Sequence, residues 1–560
     1  MIDIDNIEGY TVSHLPIVSA YARKIGIVDI INTLIPTEME VDAGTVFLGL
    51  ILDTLAGRSP LYRLEEFFKE QDTELLLGKE TEPTKFSDYT VGRVLDRAYN
   101  YGTSKIFSEI SRRALSCFNI DTKHLSFDTT SVSVSGDYSH YSKDSDNSDV
   151  MKIVHGHSKD HRPDLKQFLV KMLCVDRTIP VFGATEDGNA SDKTINNEVL
   201  SSISKHMSEH GIKKEGFIYI ADSAMVTRKN LEEIGDDIQF ISRMPATYGE
   251  CSRLIKEAIT KDEWVELGTL SDTKGSEKRP ASVYKVWESE IDLYGTTTYR
   301  TVVVHSSSHD KRRQKRIDRE LKKEHTELSK VIITLSKQEF FCEADTGKAL
   351  LEMTENRFTY YKLETDIIEI PKYKRGRPKK DGSRSIDRMM YGISATLVET
   401  GAADRLRKEA GCFVLLCNVP LDGNEGYSSY DILRAYKDQY GIEQNFGFIK
   451  NIFMVNAIFL KKAERIEVLG LVLLLSLLVW RLIEYNMRRY AKEHKKDLPG
   501  WKRRRTDKPT SFMLLTRFQY LLILKLGNHR KISKPLTTIQ LEYLRSLGLN
   551  AQIFTKPGAG

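Results

Sequence analysis

The sequence predicts an α/β protein with a helical first segment, a core interrupted by a long β-rich insertion, and a helical tail. Three observations carry this expectation. Up to about residue 120, apolar residues recur at three- and four-residue steps. At His124 the period changes to alternation, in HLSFDTTSVSV. From there, strand-like and helix-like segments follow in the order β-β-β-α-β-α-β.

Residues 1–120 contain PIVSAYARKIG, VFLGLILDTLAG, VGRVLDRAYN and TSKIFSEISRRALSCF, read as helices with glycine at several ends. They form an expected α-helical domain, suited to DNA binding or to dimerisation. Residues 121–248 hold the first part of the core. After the His124 strand, FLVKMLCVD and IPVFGAT are two strands joined by a turn at Asp176–Thr178. A helix then runs from Ser191 to about His210, capped by Ser191 or Asp192 and stopped by Gly211. GFIYIADSA, VTRKNLEEIG and IQFISRM complete the strand–helix–strand sequence.

Residues 249–420 are expected to form the insertion, with ASVYKVWESEI and TTTYRTVVVHSS as an antiparallel pair. A charged helix from Asp310 to about Lys337 carries Ile317, Leu321, Leu328, Val331 and Leu335 on one stripe. Its Lys and Arg residues form a solvated face or a track for a phosphate backbone. KYKRGRPKK, at 372–380, resembles an AT-hook. Arg375 and Arg377 flank a glycine, and the proline keeps the chain extended, so both guanidiniums can lie in a narrow A·T minor groove. A basic loop is the alternative. Residues 421–490 return to the core through the Tyr430–Lys450 helix, for which Ser428 is a cap, and the apolar helix Lys461–Asn486. Residues 491–560 read as a basic loop, WKRRRTDKP, followed by two helices about Pro535.

A chain of 560 residues with 40% hydrophobic and 29% charged residues is an ordinary folded one rather than a disordered one. Its net charge of +5 is too small to establish a nucleic-acid partner, so any such argument rests on local clusters. The cysteines at 117, 174, 251, 342, 412 and 417 include no CxxC pair and no His/Cys set at zinc spacing, which argues against structural zinc and a disulfide framework. MIDIDNIEGY lacks the apolar stretch of an export signal, and Val468–Trp480 is shorter than the roughly 20 residues of a membrane span. The expectation is a cytoplasmic protein with no membrane partner.

The chemistry-bearing residues are three carboxylates. Asp128 lies on the first core strand, Asp222 ends the fourth, and Glu443 lies on the Tyr430–Lys450 helix. A carboxylate at the C-terminal edge of a parallel strand faces the ligand side of an open α/β sheet. Asp128 bonding its own backbone, Asp222 capping a helix, and a merely solvated Glu443 face are the alternatives. Tyr436, Gln439 and Lys450 share the face of Glu443 in a helix of about 3.6 residues per turn. In the polar 137–166 loop, Lys159, Arg162 and Lys166 suit phosphates. His140, His155, His157 and His161 lack the acidic or Cys partners of a zinc site. Three carboxylates so placed suit a two-ion Mg²⁺ site for phosphoryl transfer, with Mn²⁺ as a substitute.

FDTTSVSVSGDY, GHSKDHRPDLKQ, the FGATEDGNASD run, YIADSAMVT and YKDQYGIEQNFGFIK resemble DDE insertion-sequence transposases. The likeness is to the insertion-sequence-four superfamily and its sixteen-thirty-four branch, and it covers most of the chain. It implies a ribonuclease H-like core in which Asp128, Asp222 and Glu443 are the catalytic acids. Tyr436 and Lys450 would then contact transposon-end DNA. The superfamily has Arg where this chain has Gln439, and a neutral amide cannot grip phosphate as a guanidinium does. The implied activity is metal-dependent cleavage at terminal inverted repeats and strand transfer into target DNA, by a homodimer associated with the nucleoid. A metal-dependent nuclease of the same fold and a catalytically inactive DNA-binding protein are the alternatives.

Overall fold

The computed structural model describes residues 7–57, 63–136, 138, 150–213, 216–235, 237–270, 280–295, 297–354, 358–376, 382–421, 426–451 and 460–559. The chain opens with strand β1 (Glu8–Thr11) and helices α1 (Leu15–Ile25), α2 (Ile27–Leu34), α3 (Ala43–Ala56), α4 (Leu64–Lys69), α5 (Thr73–Leu77), α6 (Asp88–Tyr101) and α7 (Thr103–Phe118). Then come β2 (His124–Val134), β3 (Lys166–Val175), β4 (Ile179–Glu186), α8 (Asp192–Glu209), β5 (Ile218–Ala221), α9 (Arg228–Ile234) and β6 (Gln239–Arg243). The β-β-β-α-β-α-β order read from the sequence is therefore present, and the fold is mixed α/β.

The middle of the chain holds α10 (Gly249–Lys261), β7 (Val265–Thr269), β8 (Val283–Leu293), β9 (Thr297–Ser306), α11 (Ser307–Leu335), α12 (Glu343–Thr354), β10 (Tyr361–Tyr373), β11 (Ile386–Glu399), α13 (Ala402–Lys408) and β12 (Cys412–Cys417). The remainder is α14 (Ser429–Asp438), α15 (Tyr440–Ile449), α16 (Ala463–Glu493), β13 (Leu498–Pro499), β14 (Arg505–Thr506), α17 (Ser511–Phe518), β15 (Leu522–Leu526), β16 (His529–Ile532) and α18 (Thr538–Ser546).

Two compact units result, one from residues 1–242 and 417–560, the other from Arg243–Leu416. In the first, strands run in the order β4–β3–β2–β5–β6. Strands β2, β3 and β4 form an antiparallel meander, while β5 and β6 are parallel to β2. Helix α16 is the core of this unit, packing on α1, α3, α6, α7 and β4. It is long and apolar enough to cross a membrane, yet 94% of its most apolar stretch is buried inside the protein. Gly470 lets it approach β4, since a Cβ there would lie 2.8 Å from the Thr185 methyl.

The helices of residues 1–120, set apart as a domain by the sequence, belong to this same unit. The C-terminal region is bound into it as well, and it is not purely helical. Strand β15 pairs with β1 on one side and β16 on the other. The Arg530 guanidinium, on β16, is fully buried against Asp72, with Nε 2.6 Å from Oδ2, and it reaches Glu74 at 2.6 Å. Asp72 also caps α5 through the Leu75 amide. Both carboxylates hold Arg530 above its ordinary pKa against the opposing effect of burial.

The second unit is mixed rather than simply β-rich. Its sheet portion is ordered β12–β9–β8–β7, and β8 and β9 are the expected antiparallel pair, with Trp287 opposite Val303. Helix α11 buries Ile317 and Leu328 with Tyr360, Tyr361 and Ala403, and Leu321 packs against them, so the stripe read from the sequence is a core face. Strands β10 and β11 form a long antiparallel ribbon. The boundaries expected at 249 and 420 fall a few residues downstream of those observed.

Candidate active site

Asp128 lies on β2, and Asp222 follows the end of the neighbouring parallel strand β5. Strands β2 and β5 are registered His124↔Ile218, Leu125↔Tyr219 and Ser126↔Ile220. Asp128 lies two residues beyond the last of these pairs on β2, and Asp222 two residues beyond it on the β5 side, just past the end of that strand. Strand β5 ends at Ala221 while β2 continues to Val134, so Asp128 lies where β2 loses its neighbour on that side. This is the C-terminal edge of the parallel pair, the ligand side of such sheets.

Local bonds set the two carboxylates differently. Asp128 accepts from the Thr129 amide at 2.7 Å within β2, so it bonds its own backbone but in mid-strand rather than at a turn. Asp222 accepts from the Ala224 amide at 3.0 Å and caps a short 3-10 turn, while α9 has its own cap in Thr227. The Ser242 hydroxyl donates to the Asp222 carbonyl at 2.8 Å and fixes the strand end to β6. On β5, the Tyr219 phenol is held well above its ordinary pKa by burial first, then by Asp222 and Asp128. Its Oη is buried with no hydrogen-bond partner among the described residues.

Glu443 is exposed on α15, a helix that packs against β2. The single helix expected over Tyr430–Lys450 is two, divided at Gln439. Ser428 caps the first of them in a capping box with Asp431, as its sequence predicts. The division follows from the approach of α15 to the β3–β4 turn. A Cβ on Gly441 would lie 2.2 Å from the Arg177 carbonyl, and Arg177 pairs with Asp438 at 3.0 Å. Tyr436 is half-buried on α14, and Gln439 is half-buried at the joint. Among the described residues no three His, Cys, Asp or Glu side chains are grouped as metal ligands.

Two of the expected phosphate-binding lysines converge near β2. Lys450 Nζ, at the end of α15, lies 2.6 Å from Asp160 Oδ1. The adjacent Lys159 Nζ donates to the carbonyl and the hydroxyl of Thr129, both at 2.8 Å, which places an ammonium one residue from Asp128. Arg162 instead faces outward, in a two-pronged bond to Asp164 at 2.8 and 2.7 Å. Arg375 is exposed in the connection between β10 and β11, in the other unit, and Arg377 lies outside the described residues.

Beneath α15, Asn445 forms a buried junction that sequence reading missed. Its Nδ2 donates to the Thr178 carbonyl at 2.9 Å and to Cys174 Sγ at 3.3 Å, and its Oδ1 accepts from Arg481 at 2.7 Å. Burial pushes the Cys174 thiol up to about 12, with Asn445 and Arg481 acting against the shift and Asp128 adding to it. A signal was present: Ile442, Asn445, Phe446 and Ile449 follow the i, i+3, i+4, i+7 pattern of a buried face, and a polar residue there must find partners.

A family model described as a domain of unknown function (DUF4277) matches residues 7–112, the stretch from β1 into α7. No curated protein matches the chain.

Proposed function

We propose that this chain is a DDE transposase with a ribonuclease H-like core, cutting DNA at terminal inverted repeats and transferring the 3′ ends into target DNA. The observation that carries the reading is the parallel pairing of β2 with β5, with Asp128 and Asp222 each two residues beyond the last registered pair and the Glu443 helix packed against the same β2. The β4–β3–β2–β5–β6 order supports it, because a meander followed by two parallel strands puts the first and fourth core strands side by side.

The donor set fits magnesium, or manganese in its place: two aspartates offer hard carboxylate oxygens at the C-terminal edge of the parallel pair. Asp128 and Asp222 would hold two such ions, with Glu443 as the third acid. Bound there, they would supply activation of the attacking hydroxyl and stabilisation of the leaving oxygen. The protein's own part is positioning. Lys159 and Lys450 set positive charge beside the Asp128 strand, where a DNA backbone needs neutralising. Tyr436 and Gln439 flank that path from α14 and the joint. An uncharged Gln439 contributes a single hydrogen bond rather than a fork.

The test uses the full chain with the DNA that flanks its gene. Mg²⁺-dependent cutting at the repeat ends, lost in Asp128→Ala, Asp222→Ala and Glu443→Ala with DNA binding retained, is the expected result. Near-normal cutting by any one variant removes that residue from the set. Cutting without joining would reassign the chain as a nuclease of the same fold.

A further inference from the structure

The Arg243–Leu416 unit contains a cavity of about 600 Å³ that the proposed chemistry leaves unused. One wall is the first three turns of α11, where His309, Arg312, Arg313 and Arg316 follow the i, i+3, i+4, i+7 pattern of one helix face. Arg243 adds a fourth guanidinium. Ala246, Ile255, Leu406 and Ala410 supply apolar surface, and Glu409 is the one carboxylate among the described lining residues.

The basic groups are oriented. Arg243 lies over the Phe413 ring at 5.2 Å, and His309 meets the same ring edge-on at 6.5 Å. Arg312 Nε donates to the Ser308 carbonyl at 3.3 Å, and Arg316 Nε bonds Glu320 at 2.6 Å. Four guanidiniums and a histidine line the cavity with one carboxylate, and although Arg316 also pairs with Glu320 the lining has an excess of positive charge that a bound polyanion would complement. Guanidinium forks match phosphate oxygens in pairs. One phosphate fills a small part of such a volume, whereas a phosphate joined to a planar, mostly apolar group would use both walls.

We infer that this cavity binds a nucleotide, its phosphates on the α11 arginines and its base against the Ile255–Leu406 side. The inference goes beyond the transposase reading and does not depend on Asp128, Asp222 or Glu443. A free nucleotide and one nucleotide of a DNA strand share this chemistry, and two probes separate them: ATP and a short single-stranded oligonucleotide.

Binding of each probe to the full chain is measured by calorimetry, without added metal. The expected result is saturable binding of at least one probe, weakened at least about tenfold in Arg312→Ala/Arg316→Ala. Lys311→Ala/Lys322→Ala removes the same charge from the other side of α11 and should bind normally. Arg312→Lys/Arg316→Lys keeps the charge without the forks and should bind with intermediate strength, which covers the case of a misfolded alanine variant. ATP binding identifies a free nucleotide as a ligand, and oligonucleotide binding alone identifies a strand. Absence of binding to both probes, or equal weakening by the two alanine pairs, would overturn the inference. Asp128→Ala should bind as the unaltered chain does, so loss of cleavage and loss of this site are read separately.

Discussion

Arg481, on α16, donates from Nε to Asn445 Oδ1, on α15, at 2.7 Å, and both side chains are buried. Arg481 also meets the buried Glu484 at 3.2 Å, and Arg488 reaches the same carboxylate from the next turn. The junction thus joins the helix bearing Glu443 to the central core helix and, through Thr178 and Cys174, to β3 and the turn after it. Asn445→Ala would leave the Arg481 guanidinium one acceptor short inside the core. The expected loss is about 2–3 kcal/mol of stability by denaturant unfolding. If Asn445 also positions Glu443, cleavage at saturating DNA should fall in the folded variant while DNA affinity holds. Unchanged stability would show that Glu484 satisfies Arg481 alone.

His14 gives the protein an acid limit of stability. It is buried beside Trp480, at a ring separation of 6.4 Å, and burial lowers its pKa from 6.5 to about 4 against the opposing bond to the Leu55 backbone. The folded protein therefore keeps His14 neutral down to about pH 4, while the unfolded chain takes up the proton near pH 6.5. Between those values the unfolded state binds more protons. This contribution is intact above pH 6.5 and is lost as pH falls toward 4, by roughly 3 kcal/mol in full. His14→Phe should flatten the stability–pH slope across that window, whatever its effect at neutral pH. An unaltered slope would mean that His14 ionises alike in both states.

Local chemistry made much of the fold readable. The change of period at His124, the Ser428 cap, the Ile317–Leu328 stripe and the β8–β9 pair each depend on residues close in sequence. What could not be read is non-local. Strand β1 finds its partner in β15, at the opposite end of the chain, although the Gly527–Asn528 turn between β15 and β16 is itself a hairpin signal. The joint at Gln439 depends on how closely Gly441 approaches Arg177, which no helical pattern contains. At the candidate site, the sequence placed Asp128 and Asp222 on their strands. Only the parallel pairing of β2 with β5 makes their two segments neighbours, and that pairing is set by packing.

The β10–β11 ribbon presents Arg375 at its exposed connection, with Gly376 at a φ of 149°. Few side chains adopt that backbone, which favours glycine between the two arginines of the hook-like sequence. Arg375→Ala/Arg377→Ala should weaken binding to A·T-rich duplexes by about tenfold and to G·C-rich duplexes much less, as measured by anisotropy at fixed salt. Equal loss on both would reduce the segment to phosphate attraction, and no loss would leave it a solvent loop.

Assembly follows from the proposed chemistry rather than from any one motif. A single core of this kind acts on one DNA end, whereas moving an element requires two ends to be cut and joined close together. Two protomers would therefore pair the ends, and a dimer bound to two end duplexes is the species expected to be active. Its mass in solution is the direct measurement: a fully active complex of one protein and one end would sink the idea. Mixing unaltered chain with Asp222→Ala gives an independent check. Asp222 lies just past a strand end and is exposed, with its side chain accepting from the Ala224 amide, so the variant is expected to fold and enter complexes, which its unfolding curve and DNA binding check directly. If each protomer supplies one site, mixed complexes should be cut at one end only. With equal amounts of the two proteins and random pairing, such singly cut products should dominate over uncut and doubly cut ones. If one protomer instead cut both ends in turn, singly cut products would appear early and then disappear.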